Sequence, residues 1–150
     1  MNRNGLFRGM VASALLGLAT SAYLTYLSLS PPTSCPVGGF SIFFCNEVIY
    51  SKYAYVYGVS VALLGLGWFI VALGLVAFAR RDERFMWAVV VWSMLGAAGV
   101  AGFVYTEIFL LGSICLLCTI AHLAGLAILV LSIATVRAQP KPASMLSRTS

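Results

Sequence analysis

The sequence predicts an all-α membrane protein: a four-transmembrane-helix bundle with a long outer loop between helices 1 and 2. Three observations predict it. Composition comes first: 61% of the 150 residues are hydrophobic and only 9% are charged, where a soluble domain carries roughly 25%. Mean hydropathy is +1.00, so lipid must serve as the solvent. Length comes second. Four apolar runs, about 7–29, 58–79, 86–109 and 113–136, each approach the roughly 20 residues that cross a hydrocarbon core about 30 Å thick. Charge placement is third. Arg3 and Arg8 precede or open the first run, Arg80, Arg81 and Arg84 lie in "RRDER" between runs two and three, and Arg137, Lys141 and Arg148 follow the fourth. Lys52 alone falls in the first connection. The positive-inside rule then puts both termini and "RRDER" in the cytoplasm and the 30–57 segment outside. Basic residues this few and scattered make no nucleic-acid surface; they orient a multi-pass protein in a cell membrane.

Taken in order, the first run opens with basic residues and contains "ATSA", a small-residue stretch resembling a signal-peptide cleavage site. It extends to Leu29, beyond the roughly 7–15 residues of a signal-peptide core, so it reads as a retained span. The outer loop, about 30–57, starts with the turn-forming "SPPTSCPVGGF" and continues as "FFCNEVIYSKYAYVYG". Its phenylalanines and tyrosines suit the headgroup region, with a short interfacial helix. A loop this long carries function more often than not. Small residues recur at four-residue spacing: Ser13, Gly17 and Ser21 on the first run, Ala98 and Gly102 on the third, Ala121 and Gly125 on the fourth. Such stripes let helix backbones approach closely in lipid. Glu107 is the one acidic residue within a run; near the end of helix 3, it reads as a hydrated interface residue. Residues 1–137 form the membrane domain, and the polar 138–150 segment reads as a disordered cytoplasmic tail.

The four cysteines are Cys35, Cys45, Cys115 and Cys118. On this topology all fall on the outer side, where disulfides form and persist. Cys35 and Cys45 lie in a Gly-containing loop that can fold back and close a disulfide. Cys115 and Cys118 stand three apart at a helix start, where the dipole and free N–H groups favour the thiolate, the attacking form. Counting at 100° per residue, Cys115, Cys118 and His122 share one helix face, with the only histidine about two turns below the first cysteine. An intramembrane polar residue is a functional candidate, and His122 is positioned to donate a hydrogen bond to a ligand beside Cys118. A Cys-X-X-Cys at the membrane surface can face outward to loop cysteines and inward to a lipid-soluble oxidant such as a quinone. Two pairs then make a relay of thiolate–disulfide exchanges.

With "CNEVIYSKYAYVYGVSVALLGL", "GSICLLCTIAHL" and an upstream loop cysteine, the chain resembles the vitamin K epoxide reductase family over roughly residues 7–136. The DsbB family shares the chemistry but carries its Cys-X-X-Cys in the first outer loop. The resemblance implies that Cys118 adjoins the quinone, of ubiquinone, menaquinone or vitamin K type. It implies that Cys115 exchanges with Cys45, and that a Cys35–Cys45 disulfide oxidises a thioredoxin-fold partner outside the membrane. Ser51 matches a loop serine or threonine near the family's site. His122 stands where vertebrate members carry tyrosine, a departure that bears on epoxide reduction and vitamin K antagonist sensitivity and decides neither. Prokaryotic members often carry a fused thioredoxin-like domain; here the chain stops soon after helix 4, so a separate partner protein is expected.

Four other readings compete. The same relay could recycle a quinone epoxide. The cysteines could staple a non-enzymatic four-span protein, which predicts inert bridges. Four thiolates could hold a metal, although the spacing from Cys35 to Cys45 fits the usual paired Cys-X-X-Cys poorly. A small transporter would need an acidic residue deep in a span, for which Glu107 is the sole candidate.

Overall fold

The computed structural model describes residues 3–29 and 48–138. Its four long helices are α1 (Arg3–Leu29), α2 (Val61–Ala79), α3 (Phe85–Tyr105) and α4 (Leu116–Arg137). A widened π-helical turn, Thr106–Leu111, prolongs α3. All four helices are long and apolar enough to cross a membrane, as the expected fold class requires. They form a ring in which α1 packs on α2 and α4, and α3 closes the other side against the same two.

Lipid tails are as apolar as leucine, so close packing holds such a bundle together. A side chain at Gly17 would stand 2.1 Å from the Phe69 ring, and one at Gly65 would stand 3.3 Å from Ser21 Oγ. These glycines let α1 and α2 approach, as the stripe on the first run predicts. The α3 stripe does something else. Ala98 and Gly102 are exposed, and among the described residues nothing comes within 4 Å of a side chain placed at Gly102. No other described helix of the bundle covers that face of α3.

At one end, Arg3 donates to Glu83, tying the start of α1 to the α2–α3 connection. This is the basic end of the bundle. Around it lies a close-packed core that includes Met10, Ala14, Ala72, Val76, Met86, Val89 and Ile128. Several buried hydroxyls in the helices donate to preceding carbonyls: Thr25 to Ser21 at 2.7 Å, Thr135 to Leu131 at 2.7 Å and Ser132 to Leu129 at 2.8 Å.

At the other end, the loop is pinned to the last turn of α1. The final carbonyls of a helix lack intrahelical donors, and here tyrosines supply them. Tyr50 donates to the Leu27 carbonyl at 2.9 Å and Tyr55 to that of Ser28 at 3.4 Å. Among the described loop residues, Val48 and Ile49 are helical and Lys52–Ala54 make one tight turn. A small hairpin follows, which the sequence analysis does not anticipate. Strand β1 (Tyr55–Val56) pairs antiparallel with β2 (Val59–Ser60), in the register Tyr55 opposite Ser60 and Val56 opposite Val59. Its two-residue turn places Tyr57 at φ 51° and Gly58 at φ 82°, the left-handed pair that matches strand twist. The hairpin shortens the expected second helix, which begins at Val61 rather than near 58.

Candidate active site

The site is assembled at the end where the loop closes over the bundle. Gly112, at φ 63°, ends the widened turn after α3, and its N–H donates to the Glu107 carbonyl. Ser113 N–H donates to the same oxygen at 3.2 Å. Three residues later α4 starts. Cys115 is its N-cap, with extended backbone angles of φ −90° and ψ 114°. Its sulfur accepts the Cys118 N–H at 3.3 Å, the role that a serine or aspartate oxygen plays at other helix starts. The Cys115 carbonyl takes both the N–H and the hydroxyl of Thr119, each at 2.9 Å.

This geometry alters one expectation. Cys118 and His122 line a central cavity from α4, whereas Cys115, the N-cap with extended backbone angles, is not among the residues that line it. The Cys115 side chain is 0% exposed and sits in a cluster with Leu24, Leu27 and loop residue Ile49. Cys118 touches that cluster and also lines the cavity with Ala121, His122 and Gly125 of α4. The two cysteines therefore address different neighbours: Cys115 meets the loop and Cys118 meets the cavity.

The cavity measures about 270 Å³ and takes lining residues from all four helices and the loop. Most are apolar. The polar side chains include Ser51 at the loop, Cys118, His122 and Glu107. An apolar pocket with a few placed polar groups is the usual form of a small-molecule site. Room at one wall comes from the small α4 residues Ala121 and Gly125, whose stripe opens space rather than joining helices; a side chain at Gly125 would meet Trp68 at 3.8 Å. Trp68 itself lies across Gly96, where an added side-chain carbon would stand 2.4 Å from its ring. His122 stacks on Phe103 with ring centroids 6.4 Å apart and planes at 8°. Ser51 donates to the Val48 carbonyl at 3.0 Å, which fixes the loop turn at the cavity's edge. Tyr53 of the loop, Leu64 of α2 and Leu95 of α3 line the cavity and are also exposed on the protein's surface.

Glu107 overturns its sequence reading. Expected as a hydrated interface residue, it is 6% exposed and faces the cavity. It follows Phe103 by one turn, on the inward stripe of α3 that includes Val100 and Gly96. That stripe is as apolar as its lipid-facing neighbours, so the pattern did not mark it. The lone acid in an apolar run was itself the available signal. Trp68 and Phe103 carried none. Cys35 and Cys45, the expected loop pair, lie outside the described residues.

Comparison with known proteins adds an independent finding. No curated protein and no solved structure matches the chain significantly. The family model described as "Vitamin K epoxide reductase family" matches residues 9–133, most of the sequence and every element of the bundle. The chain belongs to the vitamin K epoxide reductase family, whose members are membrane oxidoreductases that couple thiols and disulfides to quinones.

Proposed function

We propose that this protein carries electrons from a separate thioredoxin-fold partner through Cys35 and Cys45, then Cys115 and Cys118, to a membrane quinone, and so promotes disulfide formation in extracytoplasmic proteins. Both termini lie in the cytoplasm and the cysteine end faces outward, as the basic residues at the opposite end favour.

One observation carries the reading: Cys115 is buried against the loop while Cys118 lines the apolar cavity. Cys45 precedes Ile49 by four residues in sequence, and Ile49 packs in the cluster that holds Cys115. A loop thiolate attacks the Cys115 sulfur of a Cys115–Cys118 disulfide through a mixed disulfide. The leaving sulfur is then Cys118, released as a thiolate at the helix start and beside the cavity. The second loop cysteine then resolves the mixed disulfide, forming Cys35–Cys45 and freeing Cys115. The reduced pair passes two electrons to the quinone as the Cys115–Cys118 bond re-forms. His122, held flat by Phe103, donates a hydrogen bond to a quinone carbonyl. Ser51 keeps the loop turn over the site. The gap marked by Leu64 and Leu95 admits an apolar tail from the bilayer. The acceptor is a quinone of the ubiquinone, menaquinone or vitamin K type.

The test is quinone reduction by purified protein in detergent, driven by a reduced thioredoxin-fold protein or by a small dithiol. Wild type is expected to turn over with both donors. Cys118→Ala is expected to lose activity with both while keeping its helical content. Cys35→Ala is expected to lose only the protein donor, since a small dithiol can reach Cys115 and Cys118 directly. Wild type that reduces no quinone with either donor rejects the relay in favour of a stapled structural protein.

A further inference from the structure

Glu107 is a buried carboxyl that the relay leaves unused. The turn around it is held by its backbone: the Glu107 carbonyl, not the side chain, receives the Gly112 and Ser113 N–H groups. Among the described residues, no lysine or arginine forms an ion pair with it. A carboxyl in apolar surroundings at membrane depth is costly, and packing here does not require one.

Its depth in the bundle is informative. Phe103 of α3 and His122 of α4 are stacked, which fixes the two helices' relative height. Toward the cysteine end, Glu107 is four residues beyond Phe103 and Cys118 is four residues before His122. At about 1.5 Å per residue, both lie about 6 Å above the stacked rings. Glu107 therefore stands at the level of Cys118, and both line the one cavity. The other titratable groups that face this space are His122 and, at its mouth, Tyr53.

Resting on the quinone-reductase reading above, we infer that Glu107 is the proton-transfer residue of the quinone site, delivering a proton to a carbonyl oxygen of the acceptor as Cys118 gives up its electrons. Cys115 and Cys118 as a dithiol lose two electrons and two protons when their S–S bond forms. Conversion of the quinone to the quinol takes up two electrons and two protons. The Glu107 carboxyl gives one of those protons and regains one of the two released by the thiols, so it ends as it began. Cys118 loses its proton to water before it reacts as the thiolate, and the quinol's second proton returns from water, so the totals hold and Glu107 supplies the proton that the thiolate does not bring.

The experiment compares wild type, Glu107→Gln and Glu107→Asp in detergent, with a small dithiol as donor and a short-chain ubiquinone analogue as acceptor. Quinone binding is read from quenching of tryptophan fluorescence, since Trp68 lines the cavity. Glu107→Gln is expected to bind quinone within about threefold of wild type while kcat falls at least about 100-fold, the scale of general acid catalysis. Glu107→Asp is expected to recover part of that loss. A carboxyl C=O band in the infrared difference spectrum is expected to shift when quinone is added to wild type and to be absent in Glu107→Gln. Wild-type kcat in Glu107→Gln, or no quinone-sensitive carboxyl band in wild type, overturns the inference and leaves the relay standing. Loss of binding in both variants together assigns Glu107 to packing and also overturns it. Wild type that reduces no quinone at all fails the relay and this inference together. Should Glu107→Gln not fold, the wild-type band and Glu107→Asp decide the matter.

Discussion

The basic end and the cysteine end of this bundle are built from the same four helices and are packed in opposite ways. At the basic end, Met10, Val76, Met86, Val89 and Ile128 interlock with almost no exposed surface. At the cysteine end, Gly96, Gly125 and Ala121 hold the helices around a cavity of about 270 Å³. Empty apolar space forfeits dispersion contacts, so an open half must be held by the closed one. The difference teaches that small residues on the inner faces of one half leave a cavity, while bulky aliphatics in the other half close the core.

That contrast can be broken from either side. The largest effect is expected at the closed end. Ile128→Ala deletes a side chain that is 0% exposed and should cost about 2–5 kcal/mol of stability, read as a lower midpoint of thermal unfolding, with quinone KM unchanged. Gly125→Leu should do the reverse. The new side chain enters space bordered by Trp68, so quinone KM should rise at least about tenfold, roughly 1.4 kcal/mol, while the unfolding midpoint stays near wild type. A Gly125→Leu protein with normal KM would mean that the ligand sits elsewhere. Next comes His122→Phe, which keeps the ring stacked on Phe103 but removes a hydrogen-bond donor. One neutral hydrogen bond contributes about 0.5–1.5 kcal/mol, so KM should rise by a few-fold up to about tenfold without loss of fold. The smallest effect sharpens the comparison at the basic end. Arg3→Ala removes an ion pair whose side chains are 54% and 55% exposed, and such pairs are worth about 0–1 kcal/mol. A large drop in stability would show that α1 is anchored by this contact rather than by its packed face.

The cysteine end was only partly legible in advance. Cys118 and His122 line the cavity as their spacing on one helix suggested, because both lie within α4 and helical geometry is local. Cys115 caps the helix with an extended backbone and is buried beside the loop instead of lining the cavity. Glu107 was placed on the wrong side of the interface because nothing in the sequence says how far the loop covers the bundle. Ala98 and Gly102 looked like a helix contact and are exposed instead, since small residues mark close approach only when another helix lies opposite.

The sequence by itself determined that four helices cross a membrane, which end is basic, and where the four cysteines fall along the chain. Those properties depend on how each segment is solvated, and lipid and water read hydropathy and charge one segment at a time. The tertiary structure alone decided that Cys115 meets the loop while Cys118 meets the cavity, that Glu107 stands level with Cys118, and that the α4 small-residue stripe makes room while the α1 stripe makes contact. In a membrane the lipid-facing and core-facing sides of a helix are equally apolar, so no stripe of polarity announces which side is which. Only the packing of one helix on another settles it.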